Sequence, residues 1–231
     1  MHKTQCGTEQ EKITYQITPS GRANVWLRGA ATKVETPSTD EDQDPQESYE
    51  QDEVFFTVDP ELITKDQIDA DFDFFFANAP DDGKSADAFG IDALKATKHD
   101  ELSAVCTEAI QSGVDVELST GKTEHFSLTQ NDQLNLFGKQ VELGSGELDH
   151  YCYHCDGEPC KDYSKDDMQK ICTEAISYVT YHTTYVNSIF NWIRHCTKAS
   201  ELAAITYGSE IPEEYKSEVL KEIEEKMKSA S

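Results

Sequence analysis

The chain has 231 residues, of which 45 are acidic and 20 basic, giving a formal net charge of −25. Binding to nucleic acid or to an anionic membrane surface requires clustered Lys and Arg, so this balance argues against both. Seven scattered cysteines, an odd number, do not read as a secreted disulfide framework. No stretch approaches the roughly 18–20 apolar residues needed to span a bilayer, and Met1–Cys6 opens no apolar core of signal-peptide length. The expectation is therefore a protein made and kept in a cytoplasm. With 37% apolar residues, it has material for one large domain or two small ones, with part of the chain exposed.

Strand character comes first, at about 11–35. Ile13, Tyr15 and Ile17 alternate with polar neighbours, and Asn24–Arg28 follows a Pro-Ser-Gly turn. The segment from Thr36 to Ser48 has no aliphatic residue to offset its ordering entropy, so it reads as a solvated acidic loop, extending to 52. Strand returns at Glu53–Val58. Thr64 and Gln67 have the spacing of a capping box, opening a helix whose Ile68, Phe72, Phe75 and Phe76 share one face. Ala79–Gly83 ends it and closes a first domain, 1–80, a small sheet-plus-helix unit suited to docking.

A second helix is expected from Ile91 to Ser112, stopped by Gly113. Val114, Val116 and Leu118, a turn at Ser119–Lys122, then Phe126 and Leu128 read as a hairpin. Thr129 with Asp132 caps a helix to about Leu143, closed by Gly144–Gly146. A second hairpin turns at Asp156-Gly157. Ser164 then caps the longest helix, about 164–198, with a core face including Met168, Ile171, Cys172, Ala175, Ile176, Val179, Val186, Ile189 and Ile193. After a short helix at 200–205, Pro212 opens a last helix with Tyr215, Val219, Leu220, Ile223 and Met227 on one face. The fold class is α+β: a small N-terminal sheet with one helix, two hairpin–helix units with a long helix (86–208), and a C-terminal helix (209–231).

Candidate chemistry is sparse. His150, Cys152, His154, Cys155 and Cys160 are the one concentration of zinc-type ligands. Zinc favours four ligands on paired knuckles, and a second knuckle is missing. In an extended strand Cys152 and Cys155 also point to opposite faces. Redox use of that CxxC pair lacks the helix N-terminus that lowers a thiol pKa. His182 lies too far along its helix from Cys172 and Cys196 to touch either, so His182 and Asn187, like Gln133 and Asn135, read as polar groups ordering a core. The acidic loop at 39–53 lacks the spacing of a calcium-binding EF-hand. No catalytic residue, metal or cofactor is expected.

Leu102-Ser103-Ala104 with Cys106, Asp132–Leu136, Tyr153-His154 before Asp156-Gly157, and His182–Asn187 together resemble an uncharacterised domain encoded among tail-fibre and baseplate genes of bacteriophages, common in phages of Gram-positive gut bacteria. The resemblance spans about residues 91–207. Ala23–Arg28 and Asp69–Asp73 are similar to segments preceding that domain in related phage proteins. The resemblance implies a structural virion protein of the tail tip, baseplate or fibre-attachment region. It would assemble in the host cytoplasm with other tail, baseplate or fibre proteins, as a homo-oligomer of cyclic symmetry. A fibre-assembly chaperone and a zinc-dependent enzyme are the alternatives. In such a protein the function lies at surfaces, and the candidate interface anchors are Trp26, Phe55, Phe56, Trp192, Tyr215 and Leu220.

Overall fold

The structure is a computed structural model that describes residues 1–36, 46–146 and 148–230. It has an α+β fold and divides into two compact units. The first comprises Met1–Lys98 with Cys196–Ile205, the second His99–His195 with Thr206–Ser231. This division differs from the expected boundaries near 80 and 209. The C-terminal helix belongs to the second unit because Leu220 is fully buried there.

The first unit is built on a six-stranded sheet around one long strand. Strands β1 (His2–Cys6), β2 (Ile13–Ile17), β3 (Ala23–Arg28) and β4 (Thr32–Thr36) precede β5 (Gln46–Val58), and the short β6 (Lys84–Ser85) follows. On one edge β5 pairs antiparallel with β3 (Trp26↔Phe55) and, further back, with β4 (Val34↔Ser48). On the other edge it pairs antiparallel with β1 (Thr4↔Gln51) and parallel with β6 (Phe56↔Lys84). Strand structure therefore begins at Gln46, inside the segment expected to be an acidic loop to 52. Its polar residues are held by neighbouring strands: Lys3 and Lys33 meet Glu50 and Glu47, and Gln5 donates to Ser48. The rest of that segment, including much of the calcium reading, lies at 37–45, outside the described residues.

Val25, Leu27, Val54, Phe56 and Val58 alternate onto one sheet face and are buried against Ile63, Ile68, Phe72 and Phe75. Each such fully buried side chain contributes roughly 1.5–3 kcal/mol. The helix expected after Thr64 is two, α1 (Lys65–Ala70) and α2 (Phe72–Asn78). The capping box at Thr64 forms as expected. The break falls at Asp71, whose φ of −135° is not helical, and whose carboxylate accepts the Ser200 amide at 2.8 Å. Opposite the core, Arg28 donates to Glu53 at 2.6 Å, to the Glu11 carbonyl at 3.0 Å and to Thr14 at 2.8 Å. Those bonds satisfy a buried ion pair that would otherwise be costly.

The second unit takes the later part of α3 (Ile91–Gln111), then β7 (Val114–Glu117), β8 (Thr123–Phe126), α4 (Gln130–Ser145), β9 (His150–Tyr153), β10 (Lys161–Ser164), α5 (Lys165–His195) and α7 (Glu218–Ala230). The short α6 (Ala199–Ala204) belongs to the first unit. Gly113, with φ +87°, ends α3 where a Cβ would lie 2.2 Å from the Phe126 carbonyl oxygen, so only glycine fits. Asp156-Gly157 forms a turn, closed by the Glu158 amide on the Cys155 carbonyl, but sits within a longer loop, because the β9–β10 ladder ends at Tyr153↔Lys161. The two hairpins pack through Phe126 against Tyr153 and Tyr163. They also share a buried carboxylate, Glu124, which accepts from Tyr163 at 2.7 Å and pairs with Lys122 and Lys161. Ser164 caps α5 through Asp167, which also accepts the Ser119 amide at 2.7 Å. The expected face of α5 is buried from Met168 to Ile193, except that Ile176 is exposed and Val179 is half-buried.

Candidate interaction surfaces

The six aromatic and aliphatic candidates separate by strand and helix period. Phe56 and Leu220 are fully buried and cannot anchor a partner. Phe56 falls on the core side of β5, and among the described residues of the last helix only Leu220 is buried. Trp26 and Phe55, directly paired across β3 and β5, stack at 4.7 Å on the opposite face and stay half-buried. Trp192 and Tyr215 stack at 6.5 Å, with His195 beside Tyr215 at 5.3 Å, and are likewise half-buried. In both pairs much of the ring surface is used within its own unit.

Among the described residues, the most exposed large apolar side chains lie on α4. Leu134, Phe137 and Val141 are 68%, 66% and 60% exposed. Their i, i+3, i+7 spacing makes one continuous stripe. Leu136 and Leu143 point from the other side of the helix into the core. The helix is thus apolar on two faces and only one is covered. Thr129 and Asp132 form the capping box that starts it, and Gly146 in the left-handed region ends it. Gly138 lies within the stripe in ordinary helical backbone, and a Cβ there would meet nothing within 4 Å. A mid-helix glycine costs roughly 0.5–1 kcal/mol relative to alanine, and nothing inside this fold requires one.

Phe137 also borders an open groove of about 560 Å³ between α4 and α5. Its described lining, including Leu136, Phe137, Ile176 and Val179, contains no charged side chain. In a chain carrying −25, an uncharged groove beside an uncharged stripe is a local departure from the acidic surface. Exposed contiguous apolar surface of this kind marks an interaction site. Sequence periodicity holds a signal for it, since apolar residues recur on both sides of α4.

The polar residues behave unequally. Gln133 donates to the Leu128 carbonyl at 2.8 Å and His182 is part-buried, as expected of groups that order a core. Asn135 and Asn187 are exposed instead. The histidine's neighbours come from distant segments: its Nδ1 lies 2.7 Å from the Tyr207 hydroxyl, and the Cys106 thiol donates to its carbonyl at 3.5 Å. Burial pushes His182 down and Tyr207 far up, so the imidazole and the phenol meet as two neutral groups sharing one hydrogen bond. Burial pushes the Cys106 thiol up as well, which makes it a poor nucleophile. Tyr185 completes the cluster, donating to the Ser209 carbonyl and accepting the Gly208 amide. These groups hold the 206–209 turn against α5.

No three of the zinc-type residues of the second hairpin gather. Cys155 is buried while Cys152 and Cys160 are exposed, and His150 is exposed at the start of β9. Among the described residues, three ligand-type side chains come together at His2, Asp81 and Asp82, where the Asp81 carboxylate is already shared between His2 Nδ1 at 3.0 Å and the Phe55 amide at 2.9 Å. No described helix is long and apolar enough to cross a membrane. No family model, no curated protein and no solved structure matches the chain.

Proposed function

We propose that this chain is a structural component of a bacteriophage virion, in the tail tip, baseplate or fibre-attachment region, and that it acts through protein–protein interfaces rather than by catalysis. The observation that carries the binding role is the uncovered stripe of Leu134, Phe137 and Val141 on α4, beside an uncharged groove. The setting is supported by the order of the motifs from Leu102 to Asn187. The part-buried Cys106–Tyr207–His182 cluster, whose thiol is pushed up and whose imidazole is neutral, supports a packing role for His182 on α5. The partners on this reading are other tail, baseplate or fibre proteins, and further copies of this chain.

Mass spectrometry of purified particles tests the reading. The expected result is this chain at a fixed copy ratio to the major tail proteins. Its absence from particles, together with recovery on immature fibres, would establish an assembly chaperone instead.

A further inference from the structure

The period of two along β9 separates the cysteines of the second hairpin. Cys155, just beyond the strand, is buried, whereas Cys152 projects from the outer face. Asp162 lies opposite Cys152 in the ladder, and Lys161 lies opposite Tyr153. Cys160 precedes Lys161, so the same period carries it onto the outer face with Asp162 and Cys152. It is exposed and sits diagonally across the hairpin from Cys152, near enough for the two thiols to perturb each other. The ladder ends at Lys161, so the backbone of Cys160 is not held at the spacing of paired strands.

We propose that Cys152 and Cys160 form a reversible disulfide across the loop end of the β9–β10 hairpin, by exchange with a low-molecular-weight disulfide. The Cys152 thiolate attacks one sulfur of that disulfide, forming a mixed disulfide and releasing one small thiol. The Cys160 thiolate then attacks the Cys152 sulfur, closing the bridge and releasing the second small thiol. Two protein thiols are oxidised and one small disulfide is reduced, and the two protein protons pass to the two departing thiolates. Desolvation, the neighbouring thiol and the Asp162 carboxylate all push the Cys152 thiol up, which slows the first attack at neutral pH. The closed loop would carry Asp156, which accepts the Ser127 amide at 3.1 Å and the Ser127 hydroxyl at 3.0 Å. The bridge therefore sits at the base of the segment that ties one hairpin to the other.

The test is to hold the full chain in excess glutathione disulfide under native conditions, alkylate it, digest it without reductant and map the peptides. The expected product joins the Cys152 and Cys160 peptides, lighter by two hydrogens than the pair of free thiols and separated by dithiothreitol. Cys155→Ser should retain the bridge. Cys152→Ser should lose it and leave glutathione on Cys160. Glutathione on both cysteines of the unaltered chain, two unreacted thiols, or a bridge from Cys160 to another cysteine would each overturn the proposal.

Discussion

Helices α2 and α4 are both rich in apolar residues, and they use them in opposite ways. On α2, Phe72 and Phe75 are buried against the sheet, and Phe74 packs edge-on to Phe75 and Phe89. The helix is consumed by its own unit. On α4, Leu136 and Leu143 are enough to bind the helix to its core, and Leu134, Phe137 and Val141 are left in solvent. The same residue type therefore serves folding on one helix and is free for recognition on the other. Composition does not separate the two cases; only the number of apolar faces and the number of neighbours does.

That contrast makes quantitative demands. Phe75→Ala should cost about 3–5 kcal/mol in chemical denaturation, the range for emptying a packed aromatic site. Phe137→Ala should change stability by less than about 0.5 kcal/mol, as for surface substitutions. A large loss at Phe137 would mean that α4 is covered in the free protein.

The inter-hairpin contact at Glu124 should be sensitive to acid. Burial pushes the Glu124 carboxyl up, but hydrogen bonds from Lys161, Lys122 and Tyr163 outweigh it and bring it down to about 2. A lowered carboxyl contributes its stability above its ordinary value near 4.5 and loses it as pH falls toward 2. Glu124→Gln should therefore destabilise the unit by about 2–3 kcal/mol at neutral pH, and the difference from the unaltered chain should shrink through that acid window. Urea titrations at several pH values check both statements. The smallest expected effect has the opposite sign. Gly138→Ala should stabilise the free protein by roughly 0.5–1 kcal/mol, because the added methyl meets open space and helix propensity rises. If a partner's backbone approaches this helix closely, the same change should weaken binding.

What was legible in the sequence was local. The capping boxes at Thr64 and Thr129, the stop at Gly113 and the Ser164 cap are each written within a few residues, and each forms. What depended on distant segments was not. Glu47–Asp52 looks like linker by composition and becomes strand because β1 and β4 pair with it on either edge. Asp71 breaks a helix that periodicity would continue, with Ser200, far along the chain, supplying the amide it accepts. Among the candidate anchors, Phe55 and Phe56 are adjacent and equally apolar, yet the pleat sends one outward and buries the other. On α4 two apolar faces were present in the sequence, and nothing local says which one the rest of the chain will cover.

The central claim, that the α4 stripe is a docking face within a phage particle, is tested most directly by complementation. Phage lacking this gene is supplied in trans with either the unaltered chain or a Leu134→Asp, Phe137→Asp variant whose folding is verified by circular dichroism. The chain is then quantified in purified particles. The expected result is stoichiometric incorporation of the unaltered chain and loss of the folded variant from particles. Equal incorporation of both would contradict the docking face, and absence of both would contradict the virion role itself.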